Sequence, residues 1–148
     1  MFLDTSFLVS DEIQLCLKKT VDANIEKDGL PAYYFMIFDK QGQEIGDCTL
    51  RIGHNLGTYY RGNIGYTIQE EYRGHHYAGK ACFLLFELAK KHNMDHIIIT
   101  CNPDNYASRR TCEYVGCNLV EIARLPEDNP IYLANGETEK CIYQVELR

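Results

Sequence analysis

One stretch, residues 62–91, constrains the fold of this 148-residue chain more than any other. Residues 63–69 alternate apolar and polar side chains, a pattern that predicts a half-buried strand. The loop 73–79 then carries two glycines, and from Ala78 onward the apolar residues recur at helical spacing. A loop that ends on a helix N-terminus presents unpaired backbone N–H groups, so the stretch predicts a site for a phosphate or pyrophosphate.

Two short motifs give this stretch a family resemblance. The loop reads RGHHYA at residues 73–78, and the segment after the next strand reads NYASRR at 105–110, followed by Gly116. The first resembles the acetyl-coenzyme A loop of the GNAT superfamily of N-acetyltransferases, Arg/Gln-x-x-Gly-x-Gly/Ala, although His76 stands where the family prefers glycine. The second resembles the Asn-x-x-Ser-x-Arg helix of the same family. Two motifs in this order and at this separation are more specific than either alone.

The resemblance implies a mixed α/β fold for the whole chain, taken as one domain over 1–148. We expect a central mixed and mostly antiparallel sheet flanked by helices. A strand–helix–strand unit needs a right-handed crossover, so the strands 63–69 and 96–101 are expected to be parallel neighbours. In the family these strands splay apart at their C-terminal ends, and the cofactor enters the splay.

The remaining elements are predicted from local patterns. Ser10 is the expected cap of a helix that ends at Asp28, after a short strand at 1–5. In chain order the other expected elements are strands at 32–38, 44–53 and 59–69, a helix from Ala78, a strand at 96–101, a helix from Asn105 closed by Gly116, strands at 118–125 and 140–147, and between those two strands an irregular excursion containing Pro126–Pro130 and Asn135–Gly136.

Acetyl-CoA is the co-substrate that the resemblance implies. The amides of residues 74–80 would hold its pyrophosphate, and the strand backbone around Ile68 would pair with its pantetheine arm. For Asn105 and Ser108 the first interpretation is capping of the helix that they begin, and a cofactor contact is the second. The residues expected to bind the cofactor are Ile68, Arg73, Gly74, His75, His76, Tyr77, Ala78, Gly79, Lys80, Asn105 and Ser108.

The catalytic positions depart from the family pattern. Many relatives carry a tyrosine, as acid to the departing thiolate, at the position that is Cys112 here. Cys112 is therefore a candidate weak acid, or else a residue that only fills space. Relatives also often place glutamate, as a water-mediated base, at the position of Asn63, and an amide cannot act as a base. Asn102, at the end of the strand beside the expected thioester, is a candidate polar anchor.

Two other functions compete with an acetyltransferase. The missing tyrosine and glutamate make a non-catalytic acyl-CoA sensor on the same fold an alternative. The run from Gly74 to Gly79-Lys80 also matches most of a nucleotide-binding P-loop. In that case Ala81 replaces the Ser/Thr that would bind Mg²⁺, and the next strand ends on Asn102 rather than on an aspartate. The P-loop is therefore a minor alternative.

Composition narrows the partners. The net charge of −6 argues against nucleic acid and favours a cationic acceptor such as a primary amine of a small molecule or protein. Seven cysteines without a Cys-x-x-Cys pair indicate reduced thiols of a cytoplasmic protein, with neither disulfides nor a metal site. No apolar run approaches the length that spans a membrane. A homodimer is compatible with the sequence.

Overall fold

The computed structural model describes residues 1–129, 131–132 and 136–147. Within these residues, strands and helices alternate as a mixed α+β fold, with single 3-10 turns at Ile25–Lys27 and Glu70–Tyr72. The elements, in chain order, are β1 Ile13–Val21, β2 Ala32–Asp39, β3 Glu44–Arg51, α1 Leu56–Arg61, β4 Ile64–Ile68, α2 Tyr77–Lys91, β5 His96–Cys101, α3 Tyr106–Tyr114, β6 Asn118–Arg124 and β7 Glu139–Glu146.

The strands form two antiparallel sheets. The first has the order β1-β2-β3-β4 and contains the predicted meander of three strands, extended by β1. The second has the order β5-β7-β6. The predicted mixed fold, with mostly antiparallel strands flanked by helices, is therefore confirmed. The strands predicted at 96–101, 118–125 and 140–147, and the helices predicted from Ala78 and Asn105, are also present.

One predicted pairing is wrong: β4 and β5 are not neighbours in a single sheet. They meet instead at one junction, where the Asn63 N–H donates to the Ile98 carbonyl oxygen at 2.6 Å. The Ile98 N–H in turn donates to the Asn63 side-chain oxygen at 2.9 Å. The Asn63 carbonyl accepts from the Arg51 N–H at 2.7 Å, so it is directed to β3. The two strands therefore separate beyond this junction, as the expected splay requires.

The N-terminal predictions need correction. The segment predicted as a helix from Ser10 to Asp28 is strand β1, paired along its length with β2. The Ser10 hydroxyl does accept from the Ile13 N–H at 3.3 Å, but it closes a turn before the strand. Burial of Ile13 and Leu15 on one face shows a period of two, and this sheet packing overrides the helical capping signal.

Two further segments differ from their predicted form. Residues 1–5 form no strand; the Leu3 N–H donates to the Tyr33 hydroxyl at 2.8 Å. The predicted strand at 59–69 begins with helix α1, because Asn55 caps its N-terminus by accepting from the Thr58 N–H at 2.8 Å. Of the predicted excursion, Pro130 and Asn135 lie outside the described residues.

The main core packs α2 against both sheets and also includes Cys112 of α3. One face of α2 is fully buried, and its members are Ala81, Cys82, Leu85, Leu88 and Ala89. All seven cysteines are free thiols, and six of them are buried. The buried thiols fill space in the core as small apolar side chains do. In the described part of the chain, no helix is long and apolar enough to cross a membrane.

Gly46 is expected to be essential for the close contact of β3 and β4. A Cβ atom at this position would lie 2.2 Å from the Thr67 carbonyl oxygen, which belongs to the backbone of the partner strand. The Gly46→Ala substitution should therefore push the strands apart and lower the free energy of unfolding by about 2–3 kcal/mol. Gly65→Ala is the matched control, because nothing lies within 4 Å of its Cβ position. Equal denaturant midpoints for the two variants would contradict this account.

Candidate functional site

A cavity of about 700 Å³ opens between β4 and β5, beyond the junction at Asn63. The residues that line it come from β4, the loop before α2, the end of β5, the start of α3 and β7. They are Arg61, Ile64, Gly65, Tyr66, Thr67, Ile68, Tyr72, Arg73, Gly74, His76, Tyr77, Ala78, Thr100, Cys101, Asn102, Asn105, Ala107, Ser108, Arg110, Thr111 and Lys140. The separation of the two sheets thus creates the space that a ligand would occupy.

The N-terminus of α2 faces this cavity with free amides. His76 precedes the helix in a left-handed conformation, with φ of 60°, and its side chain makes no capping hydrogen bond. The Lys80 N–H is bonded to the His76 carbonyl, so the amides of Tyr77, Ala78 and Gly79 have no acceptor within the helix. The His76 ring stacks on Tyr114 of α3 at 4.2 Å and thereby holds the loop in place.

Arg73 fixes the loop to the end of β4. Its Nε donates to the Ile68 carbonyl oxygen at 2.9 Å, while the residue also lines the cavity. The cavity wall carries four cations, Arg61, Arg73, Arg110 and Lys140, and no Asp or Glu among the described lining residues. The wall is thus positive in a chain whose net charge is −6, which matches the charge of an anionic ligand.

Asn102 belongs to a polar network at the carboxyl end of β5. Its side-chain oxygen accepts from Lys140 Nζ at 2.9 Å, and its amide nitrogen donates to Glu137 Oε1 at 3.3 Å. Lys140 Nζ also lies 2.7 Å from Glu137 Oε2. The hydrogen bond from Lys140 lowers the pKa of Glu137, so this carboxylate is charged at neutral pH. The network holds the Asn102 amide in one orientation at the cavity.

The start of α3 brings two hydroxyl groups together. Asn105 caps the helix by accepting from the Ser108 N–H at 3.1 Å, as the capping interpretation predicted. The Ser108 hydroxyl oxygen lies 2.7 Å from the Tyr66 hydroxyl oxygen. Both residues line the cavity, so this hydroxyl pair joins β4 to α3 across the space between them.

Cys112 lies behind this wall. Its side chain is fully buried, and it is not among the residues that line the cavity. The hydrogen bond from Cys101 lowers the pKa of Cys112, but a hydrogen bond to Cys117 and burial outweigh it and raise the value to about 12. A thiol in this setting is a poor proton donor near neutral pH.

Asn63 is also placed away from the cavity wall. It is fully buried, and its amide nitrogen donates to the carbonyl oxygens of Arg51 at 3.1 Å and Gly53 at 2.8 Å. Its side-chain oxygen accepts from the Ile98 N–H. All of these partners are backbone groups, so the arrangement gives Asn63 a structural part, joining the sheets.

Three of the expected cofactor residues, His75, Gly79 and Lys80, do not line the cavity. Lys80 Nζ is paired with Glu12 at 2.6 Å and donates to the His75 carbonyl oxygen at 3.1 Å. A P-loop lysine must instead reach the phosphates, so this geometry does not support the nucleotide-binding alternative. Gly79 permits close packing of α2, because its Cβ position lies 2.4 Å from the Tyr114 ring.

The structure adds residues that sequence reasoning missed. Tyr66 lines the cavity, and its position two residues before Ile68 places both on one face of β4. Arg110 of α3 lines the cavity as well. Arg61, Thr100 and Lys140 reach the site through tertiary structure, and no local motif marked them. Among the residues that the structure describes, no three metal-binding side chains come together.

Comparison with known proteins gives one matching family. The family model described as "Acetyltransferase (GNAT) domain" matches residues 10–118. Comparison with curated protein sequences gives no significant match.

Several solved structures are similar in fold. Ribosomal-protein-S5-alanine acetyltransferase from Vibrio fischeri has 20% identity and a TM-score of 0.62, over 78% of this chain and 62% of that one. The Microcin C7 self immunity acetyltransferase, in complex with acetyl-CoA and AMP, has 24% identity and a TM-score of 0.61, over 78% and 61%. A proposed ribosomal-protein-serine acetyltransferase from Vibrio cholerae has 17% identity and a TM-score of 0.65, over 94% and 96%. This chain thus spans about three fifths of the first two proteins.

Proposed function

Because the chain belongs to the GNAT acetyltransferase family, we propose that it transfers the acetyl group of acetyl-CoA to a primary amine. The observation that carries this proposal is the cavity between β4 and β5, with its cationic wall and the free amides of α2. The activity and the acceptor are proposals, since the chain spans only part of several of the structures that it resembles.

The residues present fit acetyl-CoA. Its phosphates need cations and N–H donors, which Arg73, Arg110 and the amides of Tyr77 and Ala78 would supply. The small side chain of Ala78 leaves the backbone accessible. The pantetheine arm needs hydrogen-bonding partners along a strand edge, and β4 is the last strand of its sheet. When bound, acetyl-CoA supplies an activated acyl group.

The chain's own residues would orient the reactants. We assign Asn63 to positioning, because its side chain sets the junction from which β4 and β5 diverge. Asn102, held by Lys140 and Glu137, would present its amide to the acceptor or the carbonyl group. Amine attack requires a neutral nitrogen, since a free amine with a pKa of about 10 is mostly protonated at pH 7. A proton must therefore leave through water in the cavity.

An assay of thiol release with a panel of amines would identify the class of acceptor. Two of the similar structures are described as ribosomal-protein acetyltransferases, which puts peptides with the N-termini of ribosomal proteins first in the panel. Small amines and polyamines follow. Thiol release with at least one member supports transfer, while acetyl-CoA binding without release from any member favours the acyl-CoA sensor. A cytoplasmic location and a homodimer are proposals as well, tested by fractionation and by sedimentation.

Ala78→Val is expected to weaken acetyl-CoA binding at least about tenfold, equivalent to ~1.4 kcal/mol. The added methyl groups would stand over the amides at the start of α2, where the pyrophosphate has to approach. Calorimetry with acetyl-CoA measures the change. Glu87→Val is the control, because it places the same side chain on an exposed face of the same helix. Unchanged affinity in folded Ala78→Val would place the cofactor elsewhere.

A further inference from the structure

A hydroxyl group that could contact a ligand near the start of α3 belongs to Tyr66, on the opposite strand β4. Cys112 is fully buried behind the cavity wall and offers no group to a ligand there. Tyr66 extends from β4, lines the cavity and places its hydroxyl oxygen 2.7 Å from the Ser108 hydroxyl oxygen. The Tyr66 hydroxyl thus lies one helical turn from Cys112, at the level of Ser108.

We propose that Tyr66 is the residue that donates a hydrogen bond to the sulfur of the departing coenzyme A. This inference rests on the proposed function, since it assigns a role within acetyl transfer. It places the donor on β4 rather than on α3, so the cysteine at position 112 does not leave the site without a hydrogen-bond donor.

The proton balance of the reaction gives Tyr66 a defined part. The amine nitrogen forms a bond to the acetyl carbon, and the carbon–sulfur bond breaks with its electron pair moving to sulfur. The nitrogen loses one proton, and the sulfur gains one. The Tyr66 hydroxyl donates a hydrogen bond to sulfur as its negative charge develops, and the Ser108 hydroxyl donates a hydrogen bond to the phenolic oxygen. The proton released from nitrogen reaches the thiolate through cavity water.

The surroundings keep Tyr66 protonated. Burial, followed by the nearby Cys112 thiol, raises its pKa, and the hydrogen bond with Ser108 offsets only part of the rise. The phenol therefore enters the reaction with its proton across the physiological pH range. A hydrogen-bond donor in a desolvated site stabilises a developing anion more strongly than it would in water.

The pKa of the bound coenzyme A thiol is the first quantity to measure, because this measurement requires no acceptor amine. If Tyr66 donates to sulfur, it stabilises the thiolate and lowers the pKa of the bound thiol. In Tyr66→Phe, this pKa should be higher by about one unit, the size expected for a hydrogen bond to a charged group. Thiolate absorbance measured against pH, with coenzyme A as the probe, gives the value.

Tyr33→Phe is the matched control. Tyr33 is fully buried, and its hydroxyl bonds to His92 at 2.6 Å and to the Leu3 N–H, so its loss should lower the melting temperature and leave the bound thiol unaffected. Tyr66→Phe should instead retain the affinity for coenzyme A within about threefold. It should also lower kcat at least about tenfold with an acceptor from the panel.

Two results would overturn the inference. One is an equal pKa of the bound thiol in wild type and Tyr66→Phe, with coenzyme A bound in both. The other is a shift in Cys112→Ala with none in Tyr66→Phe, which would assign the donor to the thiol. Failure of the proposed function is distinguishable, because the wild-type protein would then bind no coenzyme A, or would bind it and release no thiol with any amine of the panel.

Discussion

Replacing Asn63 by aspartate is expected to lower the free energy of unfolding by about 3–5 kcal/mol at neutral pH. The amide nitrogen of Asn63 donates to two carbonyl oxygens, those of Arg51 and Gly53. An aspartate oxygen in the same place would face both acceptors without a proton, and its charge would be buried against these two carbonyl oxygens. The Ile98 N–H would keep its acceptor. The loss of stability therefore comes from the two hydrogen bonds to the carbonyl oxygens of Arg51 and Gly53.

The pH dependence of this variant tests the cause. Burial and the two facing carbonyls should raise the pKa of the new carboxyl in the folded state above its unfolded value of about 3.9. The folded state then binds the extra proton, so the destabilisation is complete above the raised pKa and shrinks as pH falls toward the unfolded value. Urea unfolding at several pH values measures it.

Asn105→Asp is the control for this exchange. Asn105 caps α3 through its side-chain oxygen, which accepts from the Ser108 N–H at 3.1 Å, and aspartate caps a helix equally well. We expect a change of about 0.5 kcal/mol or less there. Similar losses at both positions, or a loss at Asn63 that does not depend on pH, would refute the assigned structural part.

Arg73→Ala is expected to weaken acetyl-CoA binding by about 30- to 100-fold, or 2–3 kcal/mol. The substitution removes a cation from the cavity wall and also the hydrogen bond from Nε to the Ile68 carbonyl. Arg73→Lys restores the charge without the planar fork, so it should recover part of the affinity. Calorimetry with acetyl-CoA at two salt concentrations measures both effects.

The salt dependence of acetyl-CoA binding separates the effect of the Arg73 charge from that of its hydrogen bond to Ile68. Wild-type affinity should fall as salt screens the cationic wall, and Arg73→Ala should show a shallower fall. Arg124→Ala removes an exposed arginine of β6 that does not line the cavity, so it controls for net charge. An equal loss of affinity in Arg124→Ala would mean that the overall field, and not this residue, attracts the cofactor.

The sequence predicted the fold best where local and tertiary signals agree. The segment from β4 to α3 follows its patterns of alternation, glycine placement and helix capping. The segment after Ser10 does not, because its capping turn resembles the start of a helix while Ile13 and Leu15 are buried as strand residues against β2. Sheet pairing depends on distant partners, which local patterns do not contain.

The site residues that belong to sequence motifs were predicted, and those outside the motifs were missed. Arg73, Gly74 and Ala78 were expected at a ligand from the loop pattern, and all three line the cavity. Lys140 lies 62 residues beyond Ala78, and only the packing of β7 against β5 brings it to the site. The direction of the Lys80 side chain in α2 follows from its ion pair with Glu12, which the loop motif does not contain.

The separation of β4 from β5 has a mechanical consequence. Each strand is the outer strand of its sheet, so each carries backbone groups that face the cavity rather than another strand. An extended ligand arm bound there could form hydrogen bonds to both edge strands and so connect the two sheets. The sheets would then resist sliding against each other most strongly with the ligand bound and least strongly after it is released in each catalytic cycle.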